Sequence, residues 1–261
     1  MKKIFNFIVF SLLPIVFFSC GKELMNMNYN SKMPVVEGYL QEGTSSLTVK
    51  IYSMEVYLKD DIELSRPIEG LKVYINQREL TEPSSGTYLL DLGNDTIQEN
   101  QEYNLQFEYN GNTIEAFSTI PSQIRNLRVE PETLYLSSSW QFWGVYDTTE
   151  VVVSWDNPDN SYHQVYIESP NINDTPSLGI FGRRAMQPFK GNTYRTSMRD
   201  FRSTGTHWIY IYRVNKDYVD LFDRISSSDL ANPVSSIQNA FGIFTSLSVA
   251  RVKVVVYDSG E

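Results

Sequence analysis

The chain has 261 residues, with 22 Lys plus Arg against 31 Asp plus Glu, 2 His, 1 Cys, 41% hydrophobic and 13% aromatic residues. That balance belongs to a chain that buries a core, and the length suits one or two domains. One cysteine excludes a disulfide framework and a cysteine-rich zinc site, while an isoelectric point near 4.9 without any Lys/Arg run argues against nucleic acid.

The amino terminus reads as an address. Lys2 and Lys3 are followed by an apolar run from Ile4 to Phe18, broken by Pro14, and then by Ser19-Cys20-Gly21. This is the charged, apolar and small-residue order of an export signal, and the run is shorter than the roughly 20 residues of a spanning helix. A cysteine directly after a small residue resembles the lipobox of bacterial lipoproteins, whose thiol is lipidated; Phe17 and Phe18 stand where Leu is usual. The expectation is a signal peptide over 1–19 and acyl chains such as palmitate on Cys20. These anchor the protein to a membrane at about 0.8 kcal/mol per buried CH₂. Removing Lys2 and Lys3 deepens the formal charge from −9 to −11, so anionic lipid adds nothing and the acyl chains carry the attachment. Residues 20–32, with Asn26, Asn28, Asn30 and Ser31, lack a sustained period and read as a flexible tether.

From Val35 onward the period is two. Leu47, Val49 and Ile51, then Leu71, Val73 and Ile75, then Tyr103, Leu105 and Phe107 alternate with polar neighbours, which predicts antiparallel strands with one buried face. Turn clusters separate them, at Glu82-Pro83-Ser84-Ser85-Gly86 and at Asn110-Gly111-Asn112, the second a hairpin signal. Short strands without intervening helices predict a β-sandwich over 33–121, ending at Ile120-Pro121. A second sandwich is expected over 122–261. Glu150 to Trp155, a turn at Asp156 to Asn160, and His163 to Ile167 resemble the early strands of a fibronectin type III module. Further strands are read at Thr193–Met198, His207–Val214 and Leu247–Tyr257. One helix is read at 216–226, from the stripe Tyr218, Leu221, Phe222 and Ile225, placed as a cap on an end of this sandwich.

Several segments together resemble a known family. They are Pro34-Val35-Val36-Glu37-Gly38-Tyr39-Leu40 just after the signal, Arg66-Pro67-Ile68-Glu69-Gly70-Leu71-Lys72-Val73, and Gly86-Thr87-Tyr88. Late in the chain come Asn232-Pro233, Ile237, Asn239 and Phe241-Gly242-Ile243-Phe244. Their order and spacing are similar to the Bacteroidota lipoproteins grouped as domain of unknown function 4249. Ala240 and Phe241 stand before Gly242 where that family usually has a glycine pair. The resemblance implies two β-domains, the first similar to the transthyretin-like module beside outer-membrane receptors, and brings no activity, catalytic residue or ligand.

Catalytic patterns are thin. A hydrolytic triad needs a base, and only His163 and His207 are available, both at expected strand starts and without a G-x-S-x-G elbow; two partly exposed strand-end histidines are the simpler expectation. No H-E-x-x-H motif supports zinc. Carboxylate clusters occur at Asp60, Asp61 and Glu63, and at Asp217, Asp220 and Asp223 on the expected helix, where a hydrated face explains them. Asp156, Asn157, Asp159 and Asn160 are weak candidates for a calcium site, because calcium takes loop oxygens, but the pattern is equally that of a turn. No cofactor is expected. The strongest contact candidate is Trp140, Phe142, Trp143 and Tyr146 beside Ser137-Ser138-Ser139, an aromatic cluster suited to stacking on a sugar or anchoring a partner, or else to filling a domain junction.

The functional expectation is a non-enzymatic lipoprotein of the cell envelope, on the outer membrane and associated with nutrient uptake. It would bind a peptide or glycan, or a neighbouring TonB-dependent receptor. Alternatives are an adhesive subunit exchanging the β-prone segment Val252 to Tyr257, and a surface hydrolase using the acidic group Asp60, Asp61 and Glu63.

Overall fold

Alternation along β1 (Pro34–Gln41) and β2 (Ser46–Glu55) turns Val36 and Leu40, then Leu47, Val49 and Ile51, toward one interior. The computed structural model describes residues 33–55, 64–136, 149–170, 186–201, 203–226 and 235–258. Among them, β3 (Leu64–Pro67), β6 (Thr81–Ser84) and β7 (Thr87–Asp91) complete the first sheet, whose main order is β1-β2-β7-β6 with β3 paired to β2. Facing it are β4 (Tyr74–Ile75), β5 (Arg78–Glu79), β8 (Glu102–Tyr109) and β9 (Asn112–Thr119), in the order β5-β4-β8-β9. In strand letters this is A-B-E-D over C′-C-F-G, the immunoglobulin arrangement.

The predicted hairpin at Asn110-Gly111 forms, both residues having positive φ, 51° and 75°. Two local expectations need correction. Glu82 to Ser84 lie within β6, and only Ser85-Gly86 turn. The alternating run Leu71 to Ile75 enters a ladder only at Tyr74–Ile75. Just before it, a side chain replaces strand pairing: Tyr88 Oη donates to the Ile68 carbonyl at 2.8 Å and accepts from the Leu71 N–H at 3.2 Å.

The second half repeats the principle. β10 (Arg128–Glu130), β12 (Glu150–Ser154) and β15 (Thr193–Ser197) form a three-stranded sheet in the order β10-β12-β15. Opposite run β14 (Phe189–Lys190), β13 (Tyr162–Glu168), β16 (Gly205–Val214) and β17 (Phe241–Asp258), in that order. This is A-B-E over C′-C-F-G, the fibronectin type III order. After β10 the chain passes the cis Glu130–Pro131 bond and β11 (Thr133–Leu136) joins the opposite sheet beside β17. The core holds Val151, Val153, Trp155, Ile209, Ile211, Val254 and Val256.

The two sandwiches are one unit, because a single strand serves both. β17 pairs in parallel with β1 over Phe241–Leu247 and antiparallel with β16 over Leu247–Val256, so the two large sheets are continuous and Ser31–Glu261 forms one compact body. Residue 121 therefore marks a change of core, not a break in the sheet. On the inner face of β17, Phe244 enters the first core, Val254 and Val256 the second, and Ser246 and Ser248 lie between.

Helix α1 (Lys216–Ser226) forms where the stripe predicts it but does not cap an end. Tyr218 and Val219 pack on Tyr212, Val214, Ile243 and Leu247, on the outer face of the large sheet. That face is apolar at those positions and needs a cover, which decides the helix's place. No described helix is long and apolar enough to cross a membrane.

Candidate functional site

At one end of the first sandwich the β4–β5 turn and the segment between β7 and β8 border an open cleft of about 520 Å³. The turn exists because Asn76 and Gln77 both take positive φ, 47° and 66°, as a tight two-residue hairpin demands. Asn76 is committed to that geometry, its side-chain oxygen accepting from the Asn104 N–H at 2.8 Å and its amide donating to the Glu102 carbonyl. The opposing segment is pinned by Ile97, fully buried, whose N–H donates to Thr44 and whose carbonyl accepts from Gly43, each at 2.8 Å. Asp91 closes the start of this segment by accepting from the Gly93 N–H at 2.8 Å.

On these fixed walls the floor is apolar, from Ile75 and Leu90, and the rim is polar, with Arg78, Asn94, Asp95, Gln98 and Gln101. Tyr103 is buried to its hydroxyl, which donates to Gln101 Oε1 at 3.3 Å. Arg78, Asn94 and Asp95 are exposed. One cation, one carboxylate, several amides and the Thr96 and Tyr103 hydroxyls around an apolar floor can bind by hydrogen bonds; among the described residues of the lining there is no histidine or cysteine.

A second polar constellation is buried. Arg213, 3% exposed, sends its Nε–H to His163 Nε2 at 3.3 Å, Nη1 to the Ser122 carbonyl at 3.2 Å and to Ser122 Oγ, and Nη2 to the Asp156 carbonyl at 3.1 Å. Next to it Ser248 Oγ donates to the Ser122 carbonyl, and Asn215 bridges Ser246 Oγ and the Thr119 carbonyl at 2.8 and 3.0 Å. This seam holds the segment linking the two cores against β16 and β17.

Both histidines are fully buried, contrary to the expectation of partly exposed strand ends, because both point from the large sheet into the second sandwich. His163 leans on Trp155, with ring centroids 5.1 Å apart, and His207 on Phe201, its Nε2–H donating to the Ser203 carbonyl at 2.8 Å. Burial, reinforced by Arg213, pushes His163 down to about 4, and burial lowers His207 as well. A neutral folded ring and an unfolded pKa near 6.5 mean that acid favours unfolding. The stability is complete above 6.5 and is lost as pH falls toward 4. Urea unfolding between pH 6.5 and 5, above the titration of ordinary carboxylates, should show a loss of about 2 kcal/mol. A flat profile, or a His163 NMR titration centred near 6.5, would contradict this.

The Asp156 to Asn160 group is a turn. Asn157 donates to the Ser161 and Gly191 carbonyls and accepts from the Ser161 N–H, Asp159 accepts from Ser161 Oγ, and Asp156 accepts from the Asn126 amide. These hydrogen bonds are those of a turn, and no metal-holding cluster of three or more His, Cys, Asp or Glu occurs among the described residues. Of the helix carboxylates, Asp220 pairs with Lys216 at 2.6 Å, Asp223 accepts from Gln187, and Asp217 is half-buried, its carboxyl raised by burial and by Asp220. Cys20, the group Asp60, Asp61 and Glu63, and the aromatic cluster Trp140, Phe142, Trp143 and Tyr146 lie outside the described residues.

The cleft's visible sign in the sequence is the polar stretch Gly93 to Gln101 between two strong strand patterns, which reads simply as a loop. The outer face of the second sandwich carries a further cluster with no local sequence signal. There the Arg251 guanidinium lies 4.2 Å from the Trp208 ring centre and donates to Tyr210 Oη at 3.2 Å, while Tyr210 donates to Glu168 at 2.8 Å.

No protein-family model matches the chain, and no curated protein matches it. Among solved structures, the chain is similar to the crystal structure of chicken CNTN1 FN1–FN3 domains, at 9% identity and a TM-score of 0.25, covering 85% of this chain and 65% of that one. It is likewise similar to domains A168–A170 of titin, at 8% identity and a TM-score of 0.23, covering 86% of this chain and 66% of that one. The chain thus spans just under two thirds of the length of either.

Proposed function

We propose that this is a lipid-anchored, non-catalytic binding protein of the bacterial cell envelope, held through Cys20 on the outer membrane and serving nutrient uptake beside a receptor of the TonB-dependent class. The observation that carries the binding reading is the cleft of about 520 Å³, with its polar rim set on turns tied by hydrogen bonds to neighbouring backbone. Loops displayed on a rigid sandwich are a common place for recognition. The burial of both histidines supports a role without bond-breaking, since the side chains best suited to act as general bases are packed into the core. The anchor rests on the signal-like order of residues 1–21.

Peptide and glycan arrays probed with the mature protein test the binding reading. Arg78→Ala and Asp95→Ala, both at exposed positions, should each weaken a hit about 10- to 150-fold, the value of one charge-assisted hydrogen bond. Blank arrays, or hits indifferent to both changes, would overturn it. Mass spectrometry showing an unmodified Cys20 thiol would overturn the anchor independently.

A further inference from the structure

The long strand β17 carries an interruption along one edge. On that side β1 pairs with it as far as Leu247, the Glu42 N–H still reaching the Leu247 carbonyl at 3.0 Å, and β11 resumes pairing at Val255, whose N–H donates to Glu132 at 2.9 Å. Backbone groups in a strand alternate between its two edges. Leu247 and Val255 face this edge, so the N–H and C=O of Val249, Arg251 and Lys253 face it too, and no described residue pairs with them. The opposite edge is filled by β16 through the same stretch. The result is a notch, closed at one end by the β1–β2 turn and at the other by β11.

We propose that this notch receives an extended peptide strand, supplied by a protein partner, that carries acidic and apolar side chains in alternation. Both neighbours that bound the notch, β1 and β11, run parallel to β17 and lie in one row, so an added strand continues an existing ladder and need not create a new edge. The period of two fixes the partner's chemistry. Inward positions of the inserted strand come to lie beside Ala250 and Val252, which are only partly covered where their neighbours in the row, Val254 and Val256, are buried; they call for apolar side chains. Outward positions come to lie beside Arg251 and Lys253, both exposed. Arg251 is already steadied by Trp208 and Tyr210, and the two cations adjoin on one face of an otherwise acidic chain, so carboxylates are the complementary choice. The proposal is independent of the cleft and of the lipid anchor.

Amide hydrogen exchange on the full mature chain, read residue by residue, tests it with a synthetic peptide alternating Glu and Val and a matched control alternating Lys and Val. The acidic peptide should slow exchange at Val249, Arg251 and Lys253 by about tenfold or more while leaving the amides that face β16 unchanged. Lys253→Glu, which leaves Arg251 and its aromatic partners in place, should weaken the acidic peptide about tenfold and strengthen the basic one. Slow exchange at those three amides before any peptide is added would mean that the notch is already filled and would overturn the proposal. Equal binding of both peptides, or binding without protection of these amides, would overturn it as well. Because Arg78 and Asp95 are untouched, failure here is separable from failure at the cleft.

Discussion

Gly242→Ala is expected to remove more than about 3 kcal/mol of stability, a large share of what a protein of this size possesses. Gly242 has φ of +100°, which side-chain-bearing residues rarely adopt, and a Cβ placed there would sit 2.0 Å from the Val36 carbonyl oxygen. Val36 is its register partner, so the collision falls on the ladder that joins the two sandwiches, and neither strand can retreat without giving up pairing between β1 and β17. The damage should not stay local. Ile237, Ala240 and Phe244 flank the glycine and close the first core, so that core should open first. Gly43→Ala is the control: it also has positive φ, +81°, but nothing lies within 4 Å of its added methyl, and it should lose only about 1 kcal/mol. Urea midpoints for the two variants separate backbone strain from collision. Losses equal to within about 1 kcal/mol would show that the β1–β17 junction is looser than its register implies.

The same strand shows what was legible in advance and what was not. Alternation reveals Leu247–Tyr257 as a strand, because from Ala250 onward Val252, Val254 and Val256 share one face and Arg251, Lys253 and Tyr257 the other, a local signal. It did not reveal that the strand begins at Phe241, nor that it belongs to both sandwiches. The inner row passes from Phe244 through Ser246 and Ser248 to Val254, and two serines in a buried row look like a strand's end until their partners are known. Those partners, Ser118, Thr119, Ser122 and Asn215, come from segments far away in sequence. Parallel pairing between β1 and β17 joins the two ends of the folded chain, and no local pattern announces such a contact. The segment Val252 to Tyr257, read as an exchangeable terminal strand, pairs with β16 as far as Val256 and with β11 on its other edge from Val255. The helix stripe was visible for the reason the strands were, yet its place on the sheet's outer face depended on Tyr212, Val214 and Ile243 pointing the same way, a tertiary fact. The cleft was harder still: its rim is contributed by two loops whose approach depends on Ile97 being buried beneath the Gly43–Thr44 turn.

Arg213→Met should be the other severe change, with an expected loss of about 3–5 kcal/mol. Methionine fills the space, so the loss would come from hydrogen bonding and not from a cavity. The guanidinium reaches the Ser122 carbonyl and hydroxyl, the Asp156 carbonyl and His163 at once, and its removal leaves these buried acceptors facing an apolar thioether. Arg213→Lys should recover little, because an ammonium cannot span acceptors placed on both sides of a planar fork. The nearby carboxylate of Asp159 is a minor contributor. It stands 3.9 Å away with more than half its side chain in water, so Asp159→Asn should change stability by less than about 1 kcal/mol. A second reading separates the seam from general packing. Without the adjacent cation His163 should protonate at a higher pH than about 4, while remaining below 6.5 because its ring is still buried, so the acid-sensitive window of folding should narrow. If Arg213→Met unfolds within about 1 kcal/mol of the parent and the His163 titration does not move, the seam does not hold the two cores together, and the shared strand β17 alone must do so.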